Sequence, residues 1–190
     1  MKTIISNNCV GAEIFRQLHQ QYNNPFMWNL IQWQSYFKLI EDFDNIDFTK
    51  TKMRIDKDNA FGENQNTVTI MLQDGIEIPF VHYHKDNRYS RPKKGEVNIF
   101  YKDIEKFAQE CWTRRLDRMQ SRDILFIYIN RERPENDKMF AELKTPYKKL
   151  LLTQYNDFDP KDCGFPVMHG LHTYKVLAER IIKQHGELLV

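Results

Sequence analysis

Residues 123–130 read Asp-Ile-Leu-Phe-Ile-Tyr-Ile-Asn, an apolar stretch with no internal polar break. A strand with one face in water alternates apolar and polar residues; a strand covered on both faces does not. The run is too short for a helix of ordinary length and is rich in β-branched and aromatic residues, so it predicts a strand buried between two layers. Residues 149–153 (KLLLT) are a second run of this kind. Between the two, residues 134–143 carry a helical pattern. After a loop rich in Asp, Pro and Gly at 157–166 comes an amphipathic helix over 174–184, with Val176, Leu177 and Ile181 expected inward. Strands alternating with helices through short connections imply a parallel sheet covered by helices.

The front of the chain extends the pattern. Residues 2–6 (KTIIS) are a short β-type run that breaks at Asn7 and Asn8 and continues into a helix, with Val10, Ile14 and Leu18 in phase and Phe15 beside them. A second helix is expected from about 30 to 43, and 51–62 is polar and irregular. Residues 67–73 and 76–82 are β-rich and separated by Asp74-Gly75, a two-residue hairpin signal. Pro79 marks the second of these strands as an edge. Residues 85–94 form a basic loop, and a short strand follows near 96–100. The longest helix is expected over 103–119: Ile104, Phe107, Ala108, Cys111, Trp112, Leu116 and Met119 make its apolar stripe, and Asp103 is its expected N-cap. The expected fold is therefore α/β: a mostly parallel, Rossmann-like sheet flanked by helices in three layers, with an antiparallel hairpin portion. The 190 residues make one domain over 1–190, and a division into two lobes would fall near 95.

Composition removes several function classes. Basic and acidic residues number 28 and 26, a net charge of +2, so no bulk polyanion is expected as partner and nucleic-acid binding is not expected. No apolar run approaches the roughly 20 residues needed to span a bilayer. The N-terminus has one Lys before its polar turn and no signal-peptide core. Cys9, Cys111 and Cys163 are odd in number and far apart, with no CxxC pair, which points to reduced thiols in the cytoplasm. Phosphate-loop, dinucleotide-fingerprint, hydrolase-elbow and HExxH strings are missing, so no cofactor and no metal are expected. Oligomeric state has no signature.

Chemistry concentrates at Ser6-Asn7-Asn8-Cys9-Val10-Gly11, where the first strand hands over to the first helix. Ligands of open α/β sheets bind outside the carboxyl ends of the strands, and backbone N–H groups at a helix start hold anions and favour a thiolate. Ser6, Asn7, Asn8 and Gly11 are thus candidate ligand-binding residues, and Cys9 a candidate nucleophile or buried structural thiol. Its base would come from His82, His84, His169 or His172. His169 is preferred because it follows a loop after a buried strand; with His172 it would lie at the start of the last helix. Arg114 and Arg115, with Arg118, form a second candidate anion site or a solvated helix face with Glu110 and Asp117.

Two blocks carry a family resemblance. Ile5-Ser6-Asn7-Asn8-Cys9-Val10-Gly11, a helix ending in Leu18, and Tyr22-Asn23-Asn24-Pro25 form the first. Tyr101-Lys102-Asp103-Ile104-Glu105-Lys106-Phe107-Ala108 with Trp112-Thr113-Arg114-Arg115 and Arg118 forms the second. Together they resemble the bacterial domain of unknown function 1919 family. That family opens with a Ser-Asn-x-Cys-x-Gly turn and carries a tyrosine and a Trp-x-Arg-Arg helix ahead of a buried strand. Phe100 stands where relatives have His before the tyrosine. The resemblance implies an α/β cytoplasmic bacterial protein associated with exopolysaccharide or capsule biosynthesis, some relatives carrying transferase labels, and it adds Tyr101 to the ligand-binding candidates. The expected function is a transferase-like enzyme acting on a small anionic substrate such as a nucleotide-sugar or acyl donor. The alternatives are a hydrolase using Cys9 with a His, and a non-catalytic accessory protein of the same pathway.

Overall fold

A computed structural model describes residues 2–56, 67–80, 101–119, 123–155, 164–170 and 172–190. Four strands, β1 (Thr3–Ser6), β5 (Ile124–Asn130), β6 (Lys148–Thr153) and β7 (Val167–His169), form a parallel sheet in the order β1-β5-β6-β7. Three more, β2 (Lys52–Asp56), β3 (Thr67–Met71) and β4 (Glu77–Phe80), form an antiparallel sheet in the order β2-β3-β4. The helices are α1 (Val10–Gln17), α2 (Trp33–Glu41), α3 (Tyr101–Leu116), α4 (Glu135–Glu142) and α5 (Tyr174–His185).

Every residue of β5 is buried, as its unbroken apolar run requires. Its side chains divide by parity. Leu125, Ile127 and Ile129 join Ile4, Leu150 and Leu152 against α1 and α5, through Val10, Ile14, Phe15, Leu177 and Ile181. Phe126 and Tyr128 join Ile5 and Leu151 on the other face, against Tyr36 and Phe37 of α2, Phe140 of α4, Trp112 of α3 and Ile70 and Ile78 of the antiparallel sheet. The second face is dense in aromatic rings: Phe37 lies 4.9 Å edge-on to Tyr128, and Phe43 lies 5.4 Å from Phe126. The result is a mixed α/β fold with a mostly parallel sheet between two layers.

Several expectations change. Residues 52–56 form strand β2 and not an irregular stretch; the alternation Lys-Met-Arg-Ile-Asp has period two, although its charges mask it. The hairpin turn has Asp74 and Gly75 both at positive φ (58° and 75°), as Asp-Gly predicts. Register pairs Met71 with Glu77, however, so Leu72 faces Ile76 and the turn holds a third residue, Gln73. The Gln73 side chain is anchored by its Nε2 donating to Asn45 O at 2.9 Å. Pro79 lies in edge strand β4, as expected. Helix α3 starts at Tyr101, which places Asp103 inside its first turn and not at the cap. Val176 is 37% exposed, while Leu177, Ala178 and Ile181 turn inward because α5 packs against α1. His169 ends strand β7 and His172 precedes α5, so the two do not share a helical face. His82, His84, the 85–94 and 96–100 segments and the loop containing Cys163 lie outside the described residues.

Candidate functional site at the carboxyl ends of the parallel strands

The Ser6–Gly11 turn is an internally hydrogen-bonded knot. Ser6 Oγ donates to Asn8 O at 2.6 Å and accepts from Gly11 N at 3.0 Å; Asn8 Oδ1 accepts from Val10 N at 3.0 Å. Two helix-start amides proposed as anion donors are therefore held by the turn's own side chains. Asn7 extends the sheet: its Nδ2 donates to Ile129 O at 3.1 Å and its Oδ1 accepts from Ile129 N at 2.9 Å. Asn8 Nδ2 donates to Asn7 Oδ1 at 3.2 Å. Gly11 has no room for a side chain, since a Cβ there would meet Ser6 Oγ at 2.8 Å. The Cys9 thiol is buried and lies 4.0 Å from Asn29 O.

The Tyr22-Asn23-Asn24-Pro25 block closes the edge of β1 that faces away from β5. Asn23 Nδ2 donates to Lys2 O at 3.2 Å and Asn24 Nδ2 to Ile4 O at 3.1 Å, giving outward carbonyls the donors that a further strand would supply. The following segment ties the two sheets together, with Leu30 N donating to Pro79 O and Ile31 N to Asn7 O. Two costly features sit side by side here, next to Cys9. Trp28 has φ 62°, rare for a bulky residue, and the Asn29 amide is wholly buried with no hydrogen bond among the described residues.

The arginine cluster grips this segment. Arg115 NH1 donates to Met27 O at 3.2 Å, with its guanidinium 5.7 Å from the Tyr22 ring centroid. Arg118 NH1 donates to Tyr22 O at 3.4 Å, and Arg114 NH2 lies 3.6 Å from Cys111 Sγ. Arg115 and Cys9 thus contact carbonyls two residues apart, on Met27 and Asn29. Tyr101 opens α3, and its side chain lies outside the described residues.

A second polar constellation has no counterpart in the sequence motifs. Strand β5 is apolar up to Asn130, β6 is apolar over 150–152 before Thr153, and β7 runs Val167-Met168 before His169. Register sets these abreast: Asn130 pairs with Thr153, and Thr153 with His169. Asp137 of α4 closes over the row. Its Oδ1 accepts from Asn130 Nδ2 at 2.7 Å and its Oδ2 from Thr153 Oγ1 at 2.6 Å. Burial raises the Asp137 carboxyl above its ordinary range; the Thr153 and Asn130 hydrogen bonds and the His169 charge oppose that shift. His169 is half-buried, and its Nδ1 lies 3.0 Å from Tyr155 O. At the β1 side of the same rim, burial also raises the Tyr174 phenol, the Arg131 guanidinium 5.2 Å over its ring opposes this, and the nearby Cys9 adds to it. Helices α1, α4 and α5 all begin at this rim, since each follows a parallel strand. Among the described residues no group of three His, Cys, Asp or Glu side chains is arranged to hold a metal.

The sheet and its polar rim define a mixed α/β protein whose parallel strands end on polar side chains. Its N-terminal half, residues 1–94, matches the family described as "Domain of unknown function (DUF1919)", which supports placing that half with the family. The match includes the Ser6–Gly11 turn and the Tyr22–Pro25 block; the Tyr101–Arg118 block lies beyond it. The chain is also similar to an uncharacterized protein of Haemophilus influenzae, 27% identical over 158 residues, or 82% of this chain. That stretch spans 63% of the relative's length. No described helix is long and apolar enough to cross a membrane.

Proposed function

We propose that this protein is a transferase-like cytoplasmic enzyme of exopolysaccharide or capsule assembly that acts on a small anionic substrate, a nucleotide-sugar or acyl donor. Its site lies at the carboxyl rim of the parallel sheet. The observation that carries the reading is the row Asn130, Thr153 and His169, three polar residues that end three neighbouring parallel strands side by side, with a buried carboxyl bonded to two of them. A sheet built only for packing has no need of such a row at this level. The pathway part of the reading rests on the family resemblance of the Ser6–Gly11 and Tyr22–Pro25 blocks.

In this reading His169 is the base. Its Nε2 takes the proton of an acceptor hydroxyl as the hydroxyl oxygen bonds to the transferred group. The donor's phosphate leaves with the electrons of the broken bond, and the proton passes from His169 to water. Arg131 and Arg133, on the loop after β5, and the helix starts supply positive potential for the phosphate. Cys9, Asn7 and Asn8 shape the β1 end of the rim. The hydrolase alternative would need Cys9 and His169 in contact. Cys9 lies in the turn after β1 and His169 ends β7, and these two strands are the edges of the described sheet, about 14 Å apart at roughly 4.8 Å per strand spacing.

Thermal unfolding with a panel of nucleotide-sugars and acyl phosphates tests the proposal. A ligand at one hundred times its Kd should add about 2.7 kcal/mol, a rise in Tm of roughly 5–10 °C for a chain of this size. His169→Gln should bind the same ligand and fail to turn it over. No shift with any member of the panel would refute the enzyme and leave the accessory role.

A further inference from the structure

We infer that Thr153 and Asp137 are positioning residues that fix the His169 imidazole with its proton on Nδ1, so that Nε2 is the lone-pair atom. The inference rests on the reading of His169 as the base and adds what makes it one.

Tyr155 O can only accept, so the 3.0 Å contact to Nδ1 requires the proton on that nitrogen. The Tyr155 backbone is held in turn, its N–H donating to Thr153 Oγ1 at 3.0 Å. A threonine hydroxyl has one proton, and this one goes to Asp137 Oδ2 at 2.6 Å, which leaves its lone pairs for Tyr155 N. The other carboxyl oxygen of Asp137 accepts from Asn130 Nδ2. Asn130 Oδ1 is anchored by Glu132 N at 3.1 Å. Asn130, Thr153 and Asp137 are all essentially inaccessible to water, so the directions of these bonds do not average against solvent. From the other side, Gly170 N donates to Thr153 O at 2.9 Å, while Arg180 donates to the carbonyls of His169 and Gly170. The Tyr155 carbonyl sets the direction of the bond to the imidazole, and the Thr153–Asp137 pair holds the backbone that presents this carbonyl. Second-partner control of which ring nitrogen carries the proton is a general means of making a histidine a base at the other.

The test is nitrogen NMR of the full-length protein, with the His169 signals assigned by their loss in His169→Gln. The wild type should show a single tautomer, protonated at Nδ1. Thr153→Ser, which keeps the hydroxyl, should match it. Thr153→Val removes both the donor to Asp137 and the acceptor for Tyr155 N–H, and should lose the single tautomer. Should Thr153→Val fail to fold, Asp137→Asn is measured in its place with the same expected loss. A wild type protonated at Nε2, or a folded Thr153→Val or Asp137→Asn protein still locked at Nδ1–H, overturns the inference. The two proposals fail separately. A locked Nδ1–H tautomer with no ligand on the panel refutes the enzyme alone, whereas ligand binding by a wild type protonated at Nε2 refutes the positioning role alone.

Discussion

The hydroxyl of Ser6 and the α-carbon of Gly11 approach so closely that a Cβ on residue 11 would fall 2.8 Å from Ser6 Oγ and 3.4 Å from Ile4 Cγ2. The hydroxyl has little freedom to move, because it also bonds Asn8 O and Gly11 N. Gly11→Ala should therefore destabilise by about 1–3 kcal/mol, as overpacking does, and Ser6→Ala by about 1–2 kcal/mol through its lost hydrogen bonds. The double variant should cost clearly less than the two together, because Ser6→Ala removes the atom that the new methyl group would strike. Urea unfolding of the four proteins measures the coupling, and strict additivity would refute this contact as the reason for glycine.

Tyr36 is fully buried, and its hydroxyl donates to Ile5 O at 2.7 Å or Ile127 O at 2.9 Å, across the β1–β5 pair. Burial raises its phenol, and that of Tyr128 stacked beside it, well above the ordinary range. A raised phenol contributes stability that is complete below about pH 10, its unfolded value, and lost as pH rises through the folded one. In an ultraviolet titration of the nine tyrosines, these two should ionise only with alkaline unfolding. Tyr36→Phe should remove one of them from that late step and cost about 1–2 kcal/mol at neutral pH.

Asp137 gives the corresponding prediction in acid. Its folded carboxyl titrates above its unfolded value, so its contribution is complete below about pH 4 and declines as pH rises through the folded value. Asp137→Asn has no such dependence. The stability difference between wild type and variant should be largest in acid and narrow as pH rises above about 4. Denaturant unfolding across that range reads it, and a difference that widens with pH would contradict the burial of this group.

Lys149 Nζ caps α4. It donates to the carbonyls of Phe140, Ala141 and Leu143 at 2.9–3.0 Å, with the Phe165 ring 4.7 Å away. Lys149→Met keeps the aliphatic stem and leaves these acceptors without their donor, an expected loss of about 1–3 kcal/mol. Lys149→Arg should not restore it, since a planar fork cannot serve three converging carbonyls as a compact ammonium does. Hydrogen exchange should quicken in 135–142 before it does in β5.

The parallel sheet was legible because a strand covered on both faces must be apolar throughout, and 124–129 satisfies that in one glance. Strand β7 was not, because Val167-Met168-His169 is too short to show a period and follows a proline. The alternation of β2 was present, but its three charges read as loop. The Ser6–Gly11 turn was found by its residue types, while its bonding was not: the partners of Asn7 lie on a strand 122 residues away. The Arg115 and Arg118 partners are backbone carbonyls, which no sequence motif displays. The rim is the plainest case. Asn130, Thr153 and His169 form a row only through register, and Asp137 alone looks like any polar helix residue. The usable signal is that three apolar runs, 124–129, 150–152 and 167–168, are each followed by a polar side chain.

Among the described residues, strand β1 has β5 as its single neighbour in the sheet, with Thr3 paired to Ile124. During synthesis β1 therefore leaves the ribosome well before its partner β5. At roughly 5–20 residues per second the delay is on the order of ten seconds. For that time β1 has no parallel strand to pair with. In the interval the chain makes α1, whose Val10 and Ile14 cluster with Ile4, and the Asn23-Asn24 segment, which comes out about twenty residues later and bonds the outer edge. An early closed loop of that kind would shield a sticky strand from neighbouring nascent chains until the sheet can form.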